Sequence, residues 1–137
     1  MDTWVNVIAA GVGAHALYFV ISIFIAVIFI AIYTAITPYR EFPLIRHGNT
    51  AAATSLGGAL IGFTLPLAQA VAQSGNLTDM LIWSVVALVA QLLAFLLTRL
   101  ALPHLVPDVQ QGKIAPAVFL AAVSISIGIL NAAAMNE

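Results

Sequence analysis

Four long apolar stretches separated by short polar ones set the pattern of this chain. They run over about residues 14–37, 50–73, 80–100 and 114–135. A helix rising about 1.5 Å per residue needs about 20 residues to cross a hydrocarbon layer about 30 Å thick, and each stretch is long enough. The first holds no Asp, Glu, Lys or Arg, and its Ile, Val and Phe content would favour a strand in water. Lipid offers the backbone no hydrogen-bond partner, so a spanning segment must satisfy its own N–H and C=O groups, and helix prevails. Pro38 closes this segment, and Tyr18 and Tyr33 lie towards its two ends, where amphipathic rings favour the membrane interface. The pattern predicts an all-α membrane protein, with four transmembrane helices in a single transmembrane domain over residues 1–137.

The polar interruptions add detail. Residues 1–15 read either as a brief interfacial helix carrying Trp4, Val5, Val7 and Ile8, loosened by Gly11 and Gly13, or as a frayed extension of segment one. The connector after Pro38 holds Arg40, Glu41, Arg46 and His47 and is too polar to stay in hydrocarbon. Asn49 or Thr50 can cap segment two by accepting an orphan N–H of its first turn. Gly75 and Asn76 supply turn chemistry between segments two and three. Arg99 closes segment three as a marker whose stem lies along the helix while its guanidinium reaches the headgroups. Pro103, Pro107, Asp108 and Lys113 fill the third connector.

Composition agrees with lipid as the outer solvent. Of 137 residues, 63% are hydrophobic and 7% charged, against about 25% charged in a soluble domain. A net charge of −1 gives no basic footprint, which excludes nucleic acid as a partner. The chain has no cysteine, and so no disulfide, thiolate metal site or cysteine nucleophile. The apolar run from Ala16 to Ile36 is too long for a signal-peptide core and lacks a basic residue before it, so it is expected to remain as a span. All four Lys and Arg residues (Arg40, Arg46, Arg99 and Lys113) fall in or beside the first and third connectors. By the positive-inside rule those connectors face the cytoplasm and both termini lie outside, in the periplasm of a bacterial inner membrane; Asp2, Asp79 and Glu137 agree.

The two halves also resemble each other at an offset of about 65 residues. Tyr18 falls on Trp83, Pro38 on Pro103, Gly48 close to Gly112 and Gly62 close to Gly128. This predicts two tandem two-helix repeats, about 14–73 and 79–137, in parallel orientation because each holds an even number of crossings.

Candidate chemistry centres on segments two and four. Thr54, Gly58, Gly62 and Pro66 recur every four residues along one, and Ser124, Gly128 and Ala132 along the other. Small residues at that spacing let helix backbones approach closely, the principal attraction open to helices in lipid. The expectation is a packing seam between segments two and four or between subunits; a permeation path along the same faces is the alternative. Pro66 removes one helix hydrogen bond and frees the Gly62 carbonyl, so a bend is expected there. Gln91 lies near the middle of segment three and must find a partner inside the bundle, and Asn131 does so nearer the outer end of segment four. No Asp, Glu, Lys or His lies mid-segment, which argues against a proton-coupled mechanism. No catalytic or metal-binding spacing occurs, so neither an enzyme nor a cofactor is expected; the alternative for the connectors is a cytoplasmic metal shared by His47, His104 and Asp108.

Short motifs add a resemblance: Ile36-Thr37-Pro38, Leu44-Ile45, Asn49-Thr50-Ala51-Ala52, Gly62, Pro66-Leu67, Gln91-Leu92-Leu93, Arg99, and the G-x-x-NAA-x-M run from Gly128 to Met135. In their order and spacing the chain resembles the YjfL-like family of small bacterial inner-membrane proteins, domain of unknown function 350, over nearly its whole length. The resemblance implies four crossings built from two tandem two-helix units and brings no activity with it. Family members occur with phage-shock-protein-A-like and ATP-grasp proteins, which implies a role in envelope stress or membrane maintenance. The functional expectation is a lipid-embedded oligomeric scaffold, or the membrane subunit of an envelope-maintenance complex with other membrane-associated proteins. A small channel or carrier for ions or small solutes, formed around segments two and four, is the alternative.

Overall fold

A computed structural model describes residues 2–73 and 76–135. Six helices follow in order: α1 (Asp2–Ile36), α2 (Glu41–Arg46), α3 (Thr50–Gln73), α4 (Leu77–Ala101), α5 (Leu105–Gln110) and α6 (Ile114–Ala134). Among the described residues there is no strand. Four of the helices (α1, α3, α4 and α6) are long and apolar enough to cross a membrane.

Three features depart from the sequence reading. Residues 2–15 are not a separate interfacial helix; they extend segment one, and do so without fraying, as α1 continues unbroken through Gly11 and Gly13. Each glycine costs a helix about 1 kcal/mol, less than the backbone hydrogen bonds that a break would forfeit. The first and third connectors are not plain loops, since each folds a six-residue helix. The third span begins earlier than residue 80, at Leu77, because Asn76 Oδ1 accepts the Asp79 N–H at 2.8 Å and so caps α4. The turn expected at Gly75 lies outside the described residues, as does Glu137.

α3 is the central helix. It buries Ala51, Ala52, Ser55, Leu56, Gly58, Ala59, Gly62, Phe63, Pro66, Leu67 and Ala70, and it packs most extensively on α6 and then on α4. Contacts between α3 and α6 advance together, Gly58 meeting Ala121 and Gly62 meeting Ser124 and Gly128, so the two helices run parallel. α1 is held more lightly. Only Ile25, Phe29 and Tyr33 of its 35 residues are buried, at the four-residue spacing of one narrow stripe, and Phe29 stacks on Phe63 with centroids 4.1 Å apart.

The halves share their element order: a long helix, a six-residue helix and a long helix. Both short helices also end in the same way. The Gly48 N–H donates to Ile45 O and the Asn49 N–H to Leu44 O; the Gly112 N–H donates to Val109 O and the Lys113 N–H to Asp108 O. This pairing ends a helix by turning one residue into the left-handed region, where glycine is the residue without a steric cost. Gly48 and Gly112 take φ values of 85° and 81°.

The seam between α3 and α6 generates a contrast between two neighbouring glycines. A Cβ at Gly57 meets nothing within 4 Å, whereas one at Gly62 falls on the backbone of Ser124. Gly57→Ala should leave the thermal unfolding midpoint in detergent unchanged or slightly raised. Gly62→Ala should lower it, at a cost of about 1–3 kcal/mol or more for forcing two backbones apart. Equal midpoints for the two variants would contradict the seam.

Candidate functional site

The first cluster of polar groups lies on that seam. The space a side chain would need at Gly128 is filled by the Gly62 carbonyl oxygen, and the space at Gly62 by Ser124 O and Gln91 Nε2. Each glycine therefore presents Cα–H to the other helix's backbone, a weak but repeated attraction at close-packed helix crossings. Pro66, buried one turn on, has no N–H to give Gly62 O, so that carbonyl is free to face α6. Fully buried Gln91 donates from Nε2 to Ser124 O at 3.1 Å, tying α4 to α6 at the same level. Gln91 Oε1 and Ser124 Oγ are buried without a partner, as is Asn131 Nδ2 farther along α6. The structure thus brings Gly58, Gly62, Gln91, Ser124 and Gly128 together. Half-buried Thr54 instead bonds back to Thr50 O at 2.7 Å within its own helix.

The second cluster lies where the connectors meet. Asn49 is the residue that caps α3, its Oδ1 accepting the Ala52 N–H at 3.0 Å. Its Nδ2 donates across to Val109 O at 2.8 Å and Gln110 O at 3.3 Å, so one side chain starts α3 and ties it to the end of α5. The first and third connectors, and the four cations in or beside them, therefore share one end of the bundle. Arg40, Arg46 and Arg99 are exposed there, as is Thr50. Lys113, 60% exposed, pairs with Asp108 at 3.4 Å, the one ion pair among the described residues. No group of three His, Cys, Asp or Glu side chains gathers among those residues, so His47, His104 and Asp108 do not converge.

Sequence reasoning missed the third feature. Glu41, counted as a connector charge, is 1% exposed. Thr37 Oγ1 donates to its Oε2 at 2.7 Å, while Oε1 is buried without a partner. The hydroxyl of Tyr33, near the C-terminal end of α1, is likewise buried and unpartnered. Tyr39 is 3% exposed and interacts with the Ser55 side chain. Phe95 of α4 closes the cluster, edge-on to Tyr33 and tilted against Tyr39. Burial is the largest influence on the Glu41 carboxyl and pushes it above the usual carboxylate range, with the Thr37 hydrogen bond opposing in part. Burial, with the carboxyl adding to it, raises the Tyr39 hydroxyl in the same way, while the Ser55 interaction lowers it. The available signal was the i, i+4 spacing of Thr37 and Glu41 about Pro38, combined with apolar Leu44 and Ile45, which pack the connector on the bundle.

Over residues 7–135 the chain matches the family described as Domain of Unknown Function (DUF350). It belongs to that family. It is 37% identical over 123 residues to the UPF0719 inner membrane protein YjfL of Escherichia coli strain K12, covering 90% of this chain and 93% of that protein. The YjfL protein of Escherichia coli O157:H7 matches to the same extent. The UPF0719 transmembrane protein YshE of Bacillus subtilis strain 168 is 25% identical over 114 residues, 83% of this chain and 85% of the relative. No solved structure matches. With its four apolar helices, this DUF350 chain is a multi-span membrane protein.

In this DUF350 chain the raised Glu41 carboxyl makes stability depend on pH in a definite direction. Between its ordinary value in the unfolded chain and its raised value in the fold, the folded state holds a proton that the unfolded state has released. Stability therefore falls as pH rises from about 4.3 through that window, by up to about 1.4 kcal/mol per pH unit. Glu41→Gln, which keeps the shape without the charge, should flatten this slope and unfold at a higher temperature than the natural chain at neutral pH. Parallel unfolding profiles for the two from about pH 4 upward would contradict the assignment.

Proposed function

We propose that this protein is a non-enzymatic scaffold of the bacterial inner membrane, acting as a homo-oligomer or as the membrane subunit of an envelope-maintenance complex. Both termini lie outside, and the connectors carrying the four cations face the cytoplasm. The observation that carries this reading is α1. Its 35 residues make a helix about 52 Å long, about 20 Å more than a hydrocarbon core needs. Much of the surplus is apolar: Trp4, Val5, Val7, Ile8 and Val12 are all exposed on it. Lipid tails cannot cover the whole of such a helix, and an apolar surface left beyond them marks a contact for another protein. The inner-membrane location takes support from the YjfL relatives, which are named inner membrane proteins. The confinement of the cations to one end supports the orientation. Native mass spectrometry or cross-linking in mild detergent should give an oligomer or a co-purifying protein, and Trp4→Asp with Ile8→Asp should reduce it. A strictly solitary monomer would sink this reading.

A channel or carrier around α3 and α6 is the second reading, favoured by a particular set of atoms. Gln91 Oε1, Ser124 Oγ and Asn131 Nδ2 are buried without partners along α6, and such groups inside a membrane bundle can line a polar path. Purified protein in liposomes should then pass ions or small solutes, and Gln91→Leu should change the flux several-fold while leaving assembly intact. Absence of any flux from the natural chain would leave the scaffold alone.

A further inference from the structure

Glu41 does not belong to the packing seam, and a packing role does not account for it. A buried carboxylate needs a charge or a full set of hydrogen bonds to balance the loss of water. Here one oxygen has a single donor, the Thr37 hydroxyl, and the other has none. Tyr33, Tyr39 and Glu41 lie close enough to interact electrostatically, and the Tyr33 hydroxyl is itself unpartnered. A cavity of about 170 Å³ lined by Thr34, Arg40, Glu41, Phe42 and Pro43 lies at the start of α2. Arg40 is exposed and makes no ion pair with Glu41, so solvent screens its charge and the carboxylate stays unbalanced. The titratable or charged groups around the carboxyl are thus Tyr33 from α1 and Tyr39 and Arg40 from the connector, while α3 and α4 bring the uncharged Ser55 and Phe95.

We propose that Glu41, with the Tyr33, Thr37 and Tyr39 hydroxyls around it, forms a binding site for a monovalent cation, a proton or an alkali-metal ion. The chemistry selects that class. The cluster offers oxygen atoms alone, which suit hard cations. It carries one carboxylate, enough for one positive charge. Glu41 Oε1 and the Tyr33 hydroxyl, buried and free, are the two atoms short of a partner that such an ion supplies. The site joins the end of a spanning helix to its connector, so it gives the chain an ionisable group inside the bundle although none lies mid-segment. It is independent of whether the protein is a scaffold or a carrier.

The chain contains two glutamates, Glu41 and Glu137, which makes the test direct. Protein labelled with ¹³C at the glutamate carboxyl carbons, in detergent or nanodiscs, should give two resonances, and Glu41→Gln identifies one by removing it. In choline chloride the Glu41 resonance should titrate above the ordinary glutamate value, a tighter hold on its proton. Replacing choline by sodium or potassium at constant ionic strength separates the two sources. A lowered midpoint means that an alkali ion competes for the site, and an unchanged raised midpoint means that the site takes a proton alone. Tyr33→Phe should diminish an alkali-dependent shift. A Glu41 resonance that titrates in the ordinary range and ignores the alkali ion would overturn the proposal.

Discussion

The backbone contact between α3 and α6 is the constraint on which the rest of the bundle depends. Lipid tails are as apolar as leucine, so burying large side chains between helices gains little; close packing and hydrogen bonds must hold them instead. At Gly62 and Gly128 the two backbones meet directly, and at Gly58 the backbone and methyl of Ala121 take the space that a side chain would need. The large residues sit elsewhere. Leu93, Leu96 and Leu100 on α4, and Val118, Ile129 and Leu130 on α6, are exposed on the outside, where lipid is their solvent. Gln91 adds the directional element by donating to Ser124 O beside Gly62. Adding a methyl at this crossing would move α4 as well as α6, since the three helices meet at one level.

The end of the bundle where the connectors meet is organised differently, by hydrogen bonds rather than by close approach. Both short helices stop at a glycine with positive φ and hand the chain to a spanning helix. Asn49 then serves two elements at once, capping α3 and holding the final carbonyls of α5. Such a knot fixes where α3 and α6 begin relative to each other, and hence the register in which Gly62 faces Gly128. Glu41 is the polar cost of docking α2 tightly against the same end. Its burial follows from the apolar residues around it in the connector, and its unpartnered oxygen is where packing and polar satisfaction disagree. α1 stands apart from both systems, attached by the stripe of Ile25, Phe29 and Tyr33 and otherwise free to meet lipid or another protein.

Much of this was legible in the sequence for a physical reason: a membrane forces both length and hydrophobicity on every crossing. Runs of apolar residues therefore determined four helices and, by the placement of Arg40, Arg46, Arg99 and Lys113, one basic end. The four-residue spacing of small residues marked the faces of α3 and α6, because a helix places such positions one above another. Local capping chemistry was legible too, with Asn49 named as one of two cap candidates.

Only the tertiary structure decided what depends on a second element. That Gly62 O faces Gly128, that Gln91 reaches Ser124 O and that Asn49 bridges to α5 are contacts between residues 33 to 66 positions apart, for which sequence spacing carries no signal. The unbroken α1 was hidden because Gly11 and Gly13 are weak helix residues whose cost the surrounding turns outweigh. Glu41 was hidden most completely. A carboxylate in a polar connector ordinarily faces water, and its solvation changed only when α2 folded that connector against Tyr33, Tyr39 and Phe95. Composition determined the solvent of this chain; packing decided which of its few charges left that solvent.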